Sequence, residues 1–244
     1  MQLDALAVRL RPRTPAEAAD LGVRLCQSAA RSVYPCYAVV AVPLMIAALA
    51  TYEIAPWLPG LLIWWAKPWL DRTILFVLSR AAFGQPTTPA DVWKAQRDVW
   101  WRQLLFTLTE RRLSPWRGLT QPVYQLEGVS PLRAQPRVAQ VRRKTRGPAA
   151  LVTVAYSLAE ASLTVALFSL VFWLTPFQES FDLLDVLGGD FSSGMVLTLA
   201  AAYVAVVLFL EPFFVASGFA MYLNRRAELE AWDIEQEFRR AFVH

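Results

Sequence analysis

Two glutamates, Glu160 and Glu211, stand within long apolar runs of the sequence, where a carboxylate is exceptional. A charge left in the hydrocarbon core of a bilayer costs at least about 2.5 kcal/mol, so it is retained where another group pairs with it or uses it. We favour the interpretation that these carboxylates form ion pairs that fix the geometry of a helix bundle. The alternative is that they carry protons or line a substrate path, which requires a hydrated cavity around them.

Three cations are candidate partners for these carboxylates, because Lys67, Arg72 and Arg80 all lie in the second apolar stretch of the chain. Asp71 follows Lys67 by four residues, which is the spacing of an ion pair on one helix. Pro68 opposes a regular helix at this point. We therefore expect the helix to end near Lys67 at the cytoplasmic interface. The alternatives are a helix broken in mid-membrane, as at transporter sites, and a single span with charges at mid-depth.

The sequence does not contain the residues that most hydrolytic or metal-dependent chemistry needs. Its only histidine is His244, so a Ser-His or Cys-His pair cannot form within the fold. A Gly-x-x-x-x-Gly-Lys phosphate loop does not occur. Cys26 and Cys36 lack the spacing of a metal or redox motif, and we expect two reduced, packed thiols. The sequence thus predicts a protein without enzymatic activity, cofactor or metal site.

The elements that must position these side chains are membrane helices. A hydrophobic content of 56% and a mean hydropathy of +0.34 exceed those of ordinary soluble domains. We predict an all-α polytopic membrane protein with about four transmembrane helices plus amphipathic interfacial helices, built as one unit over residues 1–244. Its parts are a lead-in helix within 1–35, spans one and two within 36–83, a basic segment over 84–148, spans three and four within 149–223, and a C-terminal helix over 224–244.

Two capping boxes mark the starts of amphipathic helices outside the spans. One box, from Thr14 to Glu17, begins the lead-in helix, and the other, from Thr88 to Asp91, begins a second helix. That second helix carries tryptophans and leucines on one face, which is typical of a helix lying among lipid headgroups. Four later prolines predict an irregular connector up to the third span: Pro115, Pro122, Pro131 and Pro136.

The distribution of basic residues predicts the orientation in the membrane. Residues 175–194 contain four acidic residues, Glu179, Asp182, Asp185 and Asp190, and no Lys or Arg. The segment over 84–148 is therefore expected to be cytoplasmic, with both termini on the same side and the acidic loop outside. That segment holds twelve basic residues: Lys94, Arg97, Arg102, Arg111, Arg112, Arg117, Arg133, Arg137, Arg142, Arg143, Lys144 and Arg146.

A cluster of basic residues stands directly before the third span, formed by Arg142, Arg143, Lys144 and Arg146. Such runs occur in nucleic-acid-binding proteins. Beside a membrane span, however, they act as an orientation signal and contact anionic lipid headgroups. We therefore predict the lipid bilayer as a partner, and we do not expect nucleic acid to be one.

Several longer strings resemble a known group of membrane proteins. They are "RTPAEAADLG", "WWAKPWLDRTILFVLSRAAFG", "PVYQLEG" and "EPFFVASGFAMYLNRRAELEAWDIEQEFRR". The chain resembles uncharacterised bacterial inner-membrane proteins of the YciC-like and glycerophosphodiester-phosphodiesterase membrane-domain group. The resemblance implies the bacterial inner membrane and a domain without catalytic residues of its own. The phosphodiesterase activity in the group name belongs to a separate fused domain, so it is not expected of this chain. Proteins of this group are encoded near MoxR-type ATPases, so the resemblance implies an accessory role.

Two main hypotheses about function follow. The leading one is a non-enzymatic scaffold or accessory subunit of an envelope-associated complex, whose protein partner docks on the cytoplasmic face. The alternative is a small transporter or permease component that uses Glu160 and Glu211, and a lipid-handling enzyme is a third and weaker hypothesis. The docking face would include an apolar stripe on the C-terminal helix, formed by Ala227, Ala231, Ile234, Phe238 and Phe242.

Overall fold

The structure is a computed structural model that describes residues 13–128, 130–174 and 193–230, and within these ranges it is helical without any strand. A 3-10 turn (Thr51–Glu53) and a π-helix (Arg97–Trp101) stand between α-helices. In chain order the α-helices of the described residues are α1 (Pro15–Ser28), α2 (Ala30–Ala50), α3 (Leu58–Ala81), α4 (Pro89–Lys94), α5 (Leu104–Leu108), α6 (Arg117–Leu126), α7 (Pro131–Arg142), α8 (Arg146–Leu174) and α9 (Ser193–Glu230).

The described residues confirm the predicted all-helical fold, and three of their helices are long and apolar enough to cross a membrane. They are α2 with the turn after it, α8 and α9, with mean hydropathies of 2.0, 1.7 and 2.2 over their apolar windows. The helix α3 is also 24 residues long, but its four charged side chains lower its hydropathy. The fourth crossing therefore stays a prediction, as do the orientation and the identity of the membrane.

The helix α3 runs without a break through Pro68, so the prediction that it ends near Lys67 is wrong. A proline inside a helix removes one hydrogen bond and crowds the carbonyl four residues earlier. Neighbouring helices offset that loss in a packed bundle. Here the second half of α3 is enclosed by α2, α9, α5 and the π-helix, and Leu70, Ile74 and Val77 have no exposed surface. Tertiary packing therefore keeps the helix continuous.

The segment after Thr88 does not form the single amphipathic helix that the sequence predicts. It consists of α4, the π-helix and α5, and Gln103 between the last two has a positive φ of 59°. The indole of Trp100 donates a hydrogen bond to the hydroxyl of Thr73 at 3.0 Å and packs on the ring of Trp69. Trp100 is therefore buried against α3 instead of lying among lipid headgroups.

The predicted irregular connector before the third span is also wrong, because most of it is helical. Pro122 lies inside α6 and Pro136 inside α7, while Pro131 takes the first position of α7, where a missing N–H costs nothing. The helix α6 packs one face on α9 and buries Leu119 and Val123. This buried apolar face, rather than backbone propensity, stabilises α6 despite its proline.

The helix α9 is the centre of the fold and packs against α1, α2, α3, α6, α7 and α8. It approaches α1 closely at Gly22, where an added Cβ would lie 2.2 Å from the carbonyl oxygen of Ala216. By contrast α8 is peripheral, since only 6% of its apolar window is buried within the protein. One side of α8 therefore faces the core and the rest is left for lipid.

Other local predictions are confirmed by the described residues. Both capping boxes form, with the hydroxyl of Thr14 accepting from the amide of Glu17 and that of Thr88 accepting from the amide of Asp91. The two cysteines are free and buried. The acidic loop residues Glu179, Asp182, Asp185 and Asp190 and the stripe residues Ala231, Ile234, Phe238 and Phe242 lie outside the described residues.

Candidate functional site

Five charged side chains from four helices meet inside the protein. Lys67 of α3 forms ion pairs with Glu160 of α8 and with Glu211 of α9, the second at 2.6 Å between Nζ and Oε2. The guanidinium of Arg117, at the start of α6, donates to the other oxygen of Glu211 at 2.6 Å. The Nε of Arg117 also lies 3.6 Å from a carboxylate oxygen of Asp71 on α3. These residues form what we call the charge cluster.

The charge cluster is almost fully removed from solvent. The side chains of Lys67, Asp71, Arg117 and Glu211 are between 1% and 8% exposed, and that of Glu160 is 15% exposed. Two cations are in contact with three carboxylates, which leaves an excess of one negative charge when every group is ionised. Because an uncompensated buried charge is strongly unfavourable, a further cation or a bound proton must lie close by.

The helix geometry explains why these residues meet. Lys67 and Asp71 are four residues apart and share one face of α3 because the helix is continuous. The face of α9 that carries Glu211 continues to Gly218, where α6 approaches closely enough for its Gly118 to touch α9. The neighbouring Arg117 is thereby held against Glu211. Its guanidinium also lies over the ring of Phe214, with 4.8 Å between Cζ and the ring centre.

A cavity of about 1040 Å³ opens beside the charge cluster, between α3, α8, α9 and the turn before α6. Along α9 it extends from Val196 to Glu211, a distance of about 22 Å at the helical rise per residue. Its size is at the upper end of that of small-molecule sites. Its polar lining consists of Lys67, Arg112, Ser114, Arg117, Thr153, Tyr156, Ser157, Glu160, Thr164, Tyr203 and Glu211.

The two parts of the cavity wall differ in character. Near the charge cluster the wall is polar, with hydroxyl groups of α8 such as that of Ser157 next to the carboxylate of Glu160. Towards the other end it is apolar and aromatic, with Trp57, Leu61 and Leu199. A cavity with a charged end and an apolar end suits an occupant that has both characters. The substrate-path interpretation required a cavity around the glutamates, and both Glu160 and Glu211 line this one.

The structure brings only some of the predicted site residues together. Lys67 joins Glu160 and Glu211, whereas Arg72 points away and donates to the carbonyls of Val99 and Asp98, the latter at 2.8 Å. Arg72 therefore holds the π-helix instead of a carboxylate.

Arg80 lies in the last turn of α3, with its guanidinium 5.7 Å from the ring centre of Phe76, and it does not reach the charge cluster. The spacing of Lys67 and Asp71 suggested an ion pair between them, but the ion-pair partner of Asp71 is Arg117. The sequence thus identified both glutamates and one of their three suggested cations as neighbours.

Two arginines of the site were missed by sequence reasoning, Arg117 and Arg112. Both stand in the basic segment, which was predicted to be a connector, and nothing in its pattern distinguishes them from ten other basic residues there. Arg112 lines the cavity, and its guanidinium stacks on Trp64 with 3.5 Å between Cζ and the ring centre. Burial and then the nearby charge of Arg117 lower the pKa of Arg112 to about 10.

The basic cluster before α8 keeps most of its charges accessible. Arg143, Lys144 and Arg146 are exposed, so contact with anionic headgroups stays a prediction for these three. Arg142 is half-buried and stacks on Trp116, with 3.9 Å between its Cζ and the ring centre. Arg142 therefore also anchors the turn that leads into α8.

Within the described ranges no group of three or more His, Cys, Asp or Glu side chains could hold a metal ion. The carboxylates of the charge cluster have lysine and arginine as their partners. Comparison of the chain with protein-family models, with curated proteins and with solved structures found no match. The resemblance to the YciC-like group therefore stays a prediction, and the geometry of the cavity is what bears on function.

Proposed function

We propose that this protein is a permease component that binds a small molecule in the cavity between α3, α8 and α9. The observation that carries the proposal is that Glu160 and Glu211 both line this cavity and share Lys67 as their cation. The proposal includes four spans in the bacterial inner membrane with both termini in the cytoplasm. It replaces the scaffold hypothesis as the leading one, because a scaffold role does not account for buried charges around a large cavity.

The arrangement of the charge cluster supports a binding site that can rearrange. Removing one partner of a buried ion pair costs about 3–5 kcal/mol when the other charge is left alone. Lys67 has two carboxylate partners, so it can release Glu160 and keep Glu211. The ion pair to Glu160 also joins peripheral α8 to α3. A proton or a cationic group that neutralises Glu160 would therefore loosen α8 without leaving Lys67 alone.

The experiment that tests the proposal measures whether water reaches the cavity in a membrane. Ser157 lines the cavity, and Leu158, the next residue of α8, is exposed on the outer surface of the protein away from it. Single cysteines at these two positions are treated in native membranes with a water-soluble, membrane-permeant thiosulfonate. We expect Ser157→Cys to react and Leu158→Cys, which would face lipid, to stay unreactive.

The pair of variants makes the outcome specific. Both cysteines lie at the same depth on the same helix, so depth alone cannot separate their reactivities. If Ser157→Cys were as unreactive as Leu158→Cys, the cavity would be dry or closed in the membrane, and the permease proposal would be wrong. The ion pairs would then be purely structural.

The accessory hypothesis remains a second candidate because of exposed apolar residues on the segment between the spans. Trp93, Trp101, Leu105 and Leu113 are between 61% and 80% exposed, and such a surface is covered by lipid headgroups or by a protein partner. Trimming the chain after Glu230 preserves the described helices and removes four of the five residues of the predicted docking stripe, whereas the fifth, Ala227, is retained and is buried in α9. A stoichiometric partner that co-purifies with the full chain and is lost on trimming would support this candidate.

A further inference from the structure

The carboxyl group of Asp71 is buried in the charge cluster without a hydrogen bond. The side chain is 1% exposed, and neither Oδ1 nor Oδ2 has a hydrogen-bond partner among the described residues. Arg117 comes within 3.6 Å through its Nε, but this Nε is itself without a hydrogen-bond partner in the described part of the chain. An ionised carboxylate that is buried without any donor is strongly unfavourable, whereas a protonated carboxyl group is neutral.

The cations near Asp71 balance its charge but do not supply this donor. Arg112 is close enough to attract the carboxylates of Asp71 and Glu211, yet it forms no ion pair within 4 Å with any described residue. Lys67 and Arg117 are the other two cations, so the fully ionised cluster is neutral with three charges of each sign. The argument for a proton on Asp71 therefore comes from hydrogen bonding and not from charge. When Asp71 is protonated, the surplus positive charge belongs to Arg112, which is only partly buried.

A proton on Asp71 has an acceptor within reach in Glu211. The two carboxyl groups lie within hydrogen-bond distance of one another. Two ionised carboxylates present only acceptors to each other, whereas a protonated one donates to its ionised neighbour. Tyr37 faces both groups from α2, and its buried hydroxyl likewise has no hydrogen-bond partner among the described residues. One proton thus satisfies Asp71 and links α3 to α9.

From Glu211 a continuous line of contacts leads to the cavity. The Nζ of Lys67 lies 2.6 Å from Oε2 of Glu211, and it also donates to Glu160. Glu160 is the most exposed carboxylate of the charge cluster, and it lines the cavity beside Tyr203 of α9. An ammonium group between two carboxylates carries a proton onwards when it gives one proton to the first and takes another from the second.

We propose that the charge cluster is a proton relay that begins at a protonated Asp71 and ends at the cavity. Glu160 takes a proton from the ammonium of Lys67, and Glu211 then returns a proton to Lys67. Asp71 in turn gives its proton to Glu211. Each transfer breaks one N–H or O–H bond and forms another, so one proton moves from Asp71 to Glu160 and the net charge of the cluster is unchanged. This inference rests on the proposed function, because it names an ion that reaches the same cavity and the path that it takes.

Infrared spectroscopy of the full chain tests the buried end of the relay. The protein is kept in dodecyl maltoside, which has no carbonyl group, so the C=O stretching band of a protonated carboxylic acid stands clear of the amide bands. Exposed carboxyl groups are ionised at pH 7. We expect such a band in the wild-type protein and its loss in Asp71→Asn. Asp98→Asn, which alters an exposed aspartate of the π-helix, should keep the band. A spectrum without the band, or a band that survives Asp71→Asn, would overturn the inference.

The stability of two variants provides a second test of the protonated state. The amide of Asp71→Asn has an acceptor oxygen and a donor for Glu211, as the protonated acid does. We therefore expect its unfolding temperature at pH 7 to equal that of the wild-type protein. Glu211→Gln, which removes the charge that two cations share, should lower that temperature. An Asp71→Asn variant that fails to fold would show that the protein needs the negative charge of Asp71, and the inference would be wrong.

The path to the cavity is tested by the rate at which the proton of Asp71 exchanges. In D2O the infrared band moves to lower frequency as a deuteron replaces the proton. Lys67→Arg keeps a cation beside both glutamates, but a guanidinium does not give up its proton in a protein. We expect Lys67→Arg and Glu160→Gln each to slow the exchange at least about tenfold. Ser157→Ala removes a hydroxyl group from the same cavity wall and should exchange like the wild-type protein.

The outcomes separate this inference from the proposed function. Unchanged exchange in Lys67→Arg and Glu160→Gln would overturn the relay even if Ser157→Cys shows a hydrated cavity. An unreactive Ser157→Cys would overturn the proposed function, while the infrared band would still establish the protonated carboxyl group. Size-exclusion profiles and unfolding temperatures establish that each variant folds. If Lys67→Arg fails to fold, Glu160→Gln against Ser157→Ala decides whether the path ends at the cavity.

Discussion

Gly118 and Gly218 meet backbone to backbone, and a Cβ on Gly218 would lie 2.5 Å from the carbonyl carbon of Gly118. No side chain separates α6 from α9 at this point. The contact fixes the start of α6 on α9, two helical turns from Glu211, and so places the guanidinium of Arg117 within 2.6 Å of that carboxylate. A pair of glycines thus determines the position of a charge in the site.

Gly218→Val should separate α6 from α9 and break the Arg117–Glu211 ion pair. Overpacking alone costs about 1–3 kcal/mol. An unpaired buried charge adds to that cost. We therefore expect the largest loss of thermal stability in detergent among single glycine substitutions that do not touch α1. Gly147→Val, at an open position of α8, is the control, and an equal effect of the two substitutions would contradict the role of this contact.

Lys67 should matter more for stability than Glu160. Lys67→Met leaves two carboxylates without their shared cation, and we expect a loss of about 3–5 kcal/mol in the free energy of unfolding. Glu160→Gln should cost less, because Lys67 keeps Glu211 and the side chain of Glu160 is 15% exposed. Denaturant unfolding in detergent measures both. Combining Lys67→Met with Glu160→Gln should recover stability relative to Lys67→Met alone, and a further loss instead would contradict the pairing.

The ion pairing of the glutamates could be predicted because hydrocarbon tolerates a charge only beside a partner. The same argument identified Lys67, which stands in an apolar run. It could not identify Arg117 or Arg112, because arginines in a proline-containing basic segment carry the pattern of a surface. Their burial depends on the approach of α6 to α9, which is a tertiary contact between residues a hundred positions apart in the chain.

The shape of α3 and of the following segment was mispredicted for a related reason. Local sequence preferences predict a helix end at Pro68 and an interfacial helix for the tryptophan-rich stretch. In the folded protein the stretch is bound to α3 instead, through Arg72 and the contact of Trp100 with Thr73. The cavity was unpredictable as well, because its size is set by the gap between α3 and α8 and not by any one helix.

Arg72→Met should release the π-helix from α3. The carbonyls of Asp98 and Val99 would lose a charged donor, and each such hydrogen bond contributes about 1.5–3 kcal/mol. We expect faster hydrogen exchange of amides over residues 97–108, with exchange in α8 unchanged. Arg97→Met is the control, because Arg97 is an exposed arginine of the same π-helix. If the two variants exchanged alike, the contact from Arg72 would not be what holds this segment.

The native cysteines should be silent towards thiol reagents while the protein is folded. Burial raises the pKa of the Cys26 thiol to about 12, so at pH 8 only about one thiol in ten thousand is ionised. Cys36 is equally buried. We expect no maleimide labelling of the folded wild-type protein and two labels per chain after unfolding in dodecyl sulfate. Labelling of the folded chain at a rate near that of free cysteine would contradict the burial of Cys26 on α1 or of Cys36 on α2.

With silent native thiols, single cysteines can establish the orientation in the membrane. Glu53 is exposed in the turn between α2 and α3, and Lys144 is exposed in the basic cluster before α8. The excess of basic residues around Lys144 predicts that this side is cytoplasmic. A membrane-impermeant maleimide added to intact cells with permeabilised outer membranes should therefore label Glu53→Cys and leave Lys144→Cys unlabelled until the cells are lysed. The reverse pattern would show the opposite orientation in the membrane. Labelling of both cysteines in intact cells would show that α3 does not cross back through the membrane.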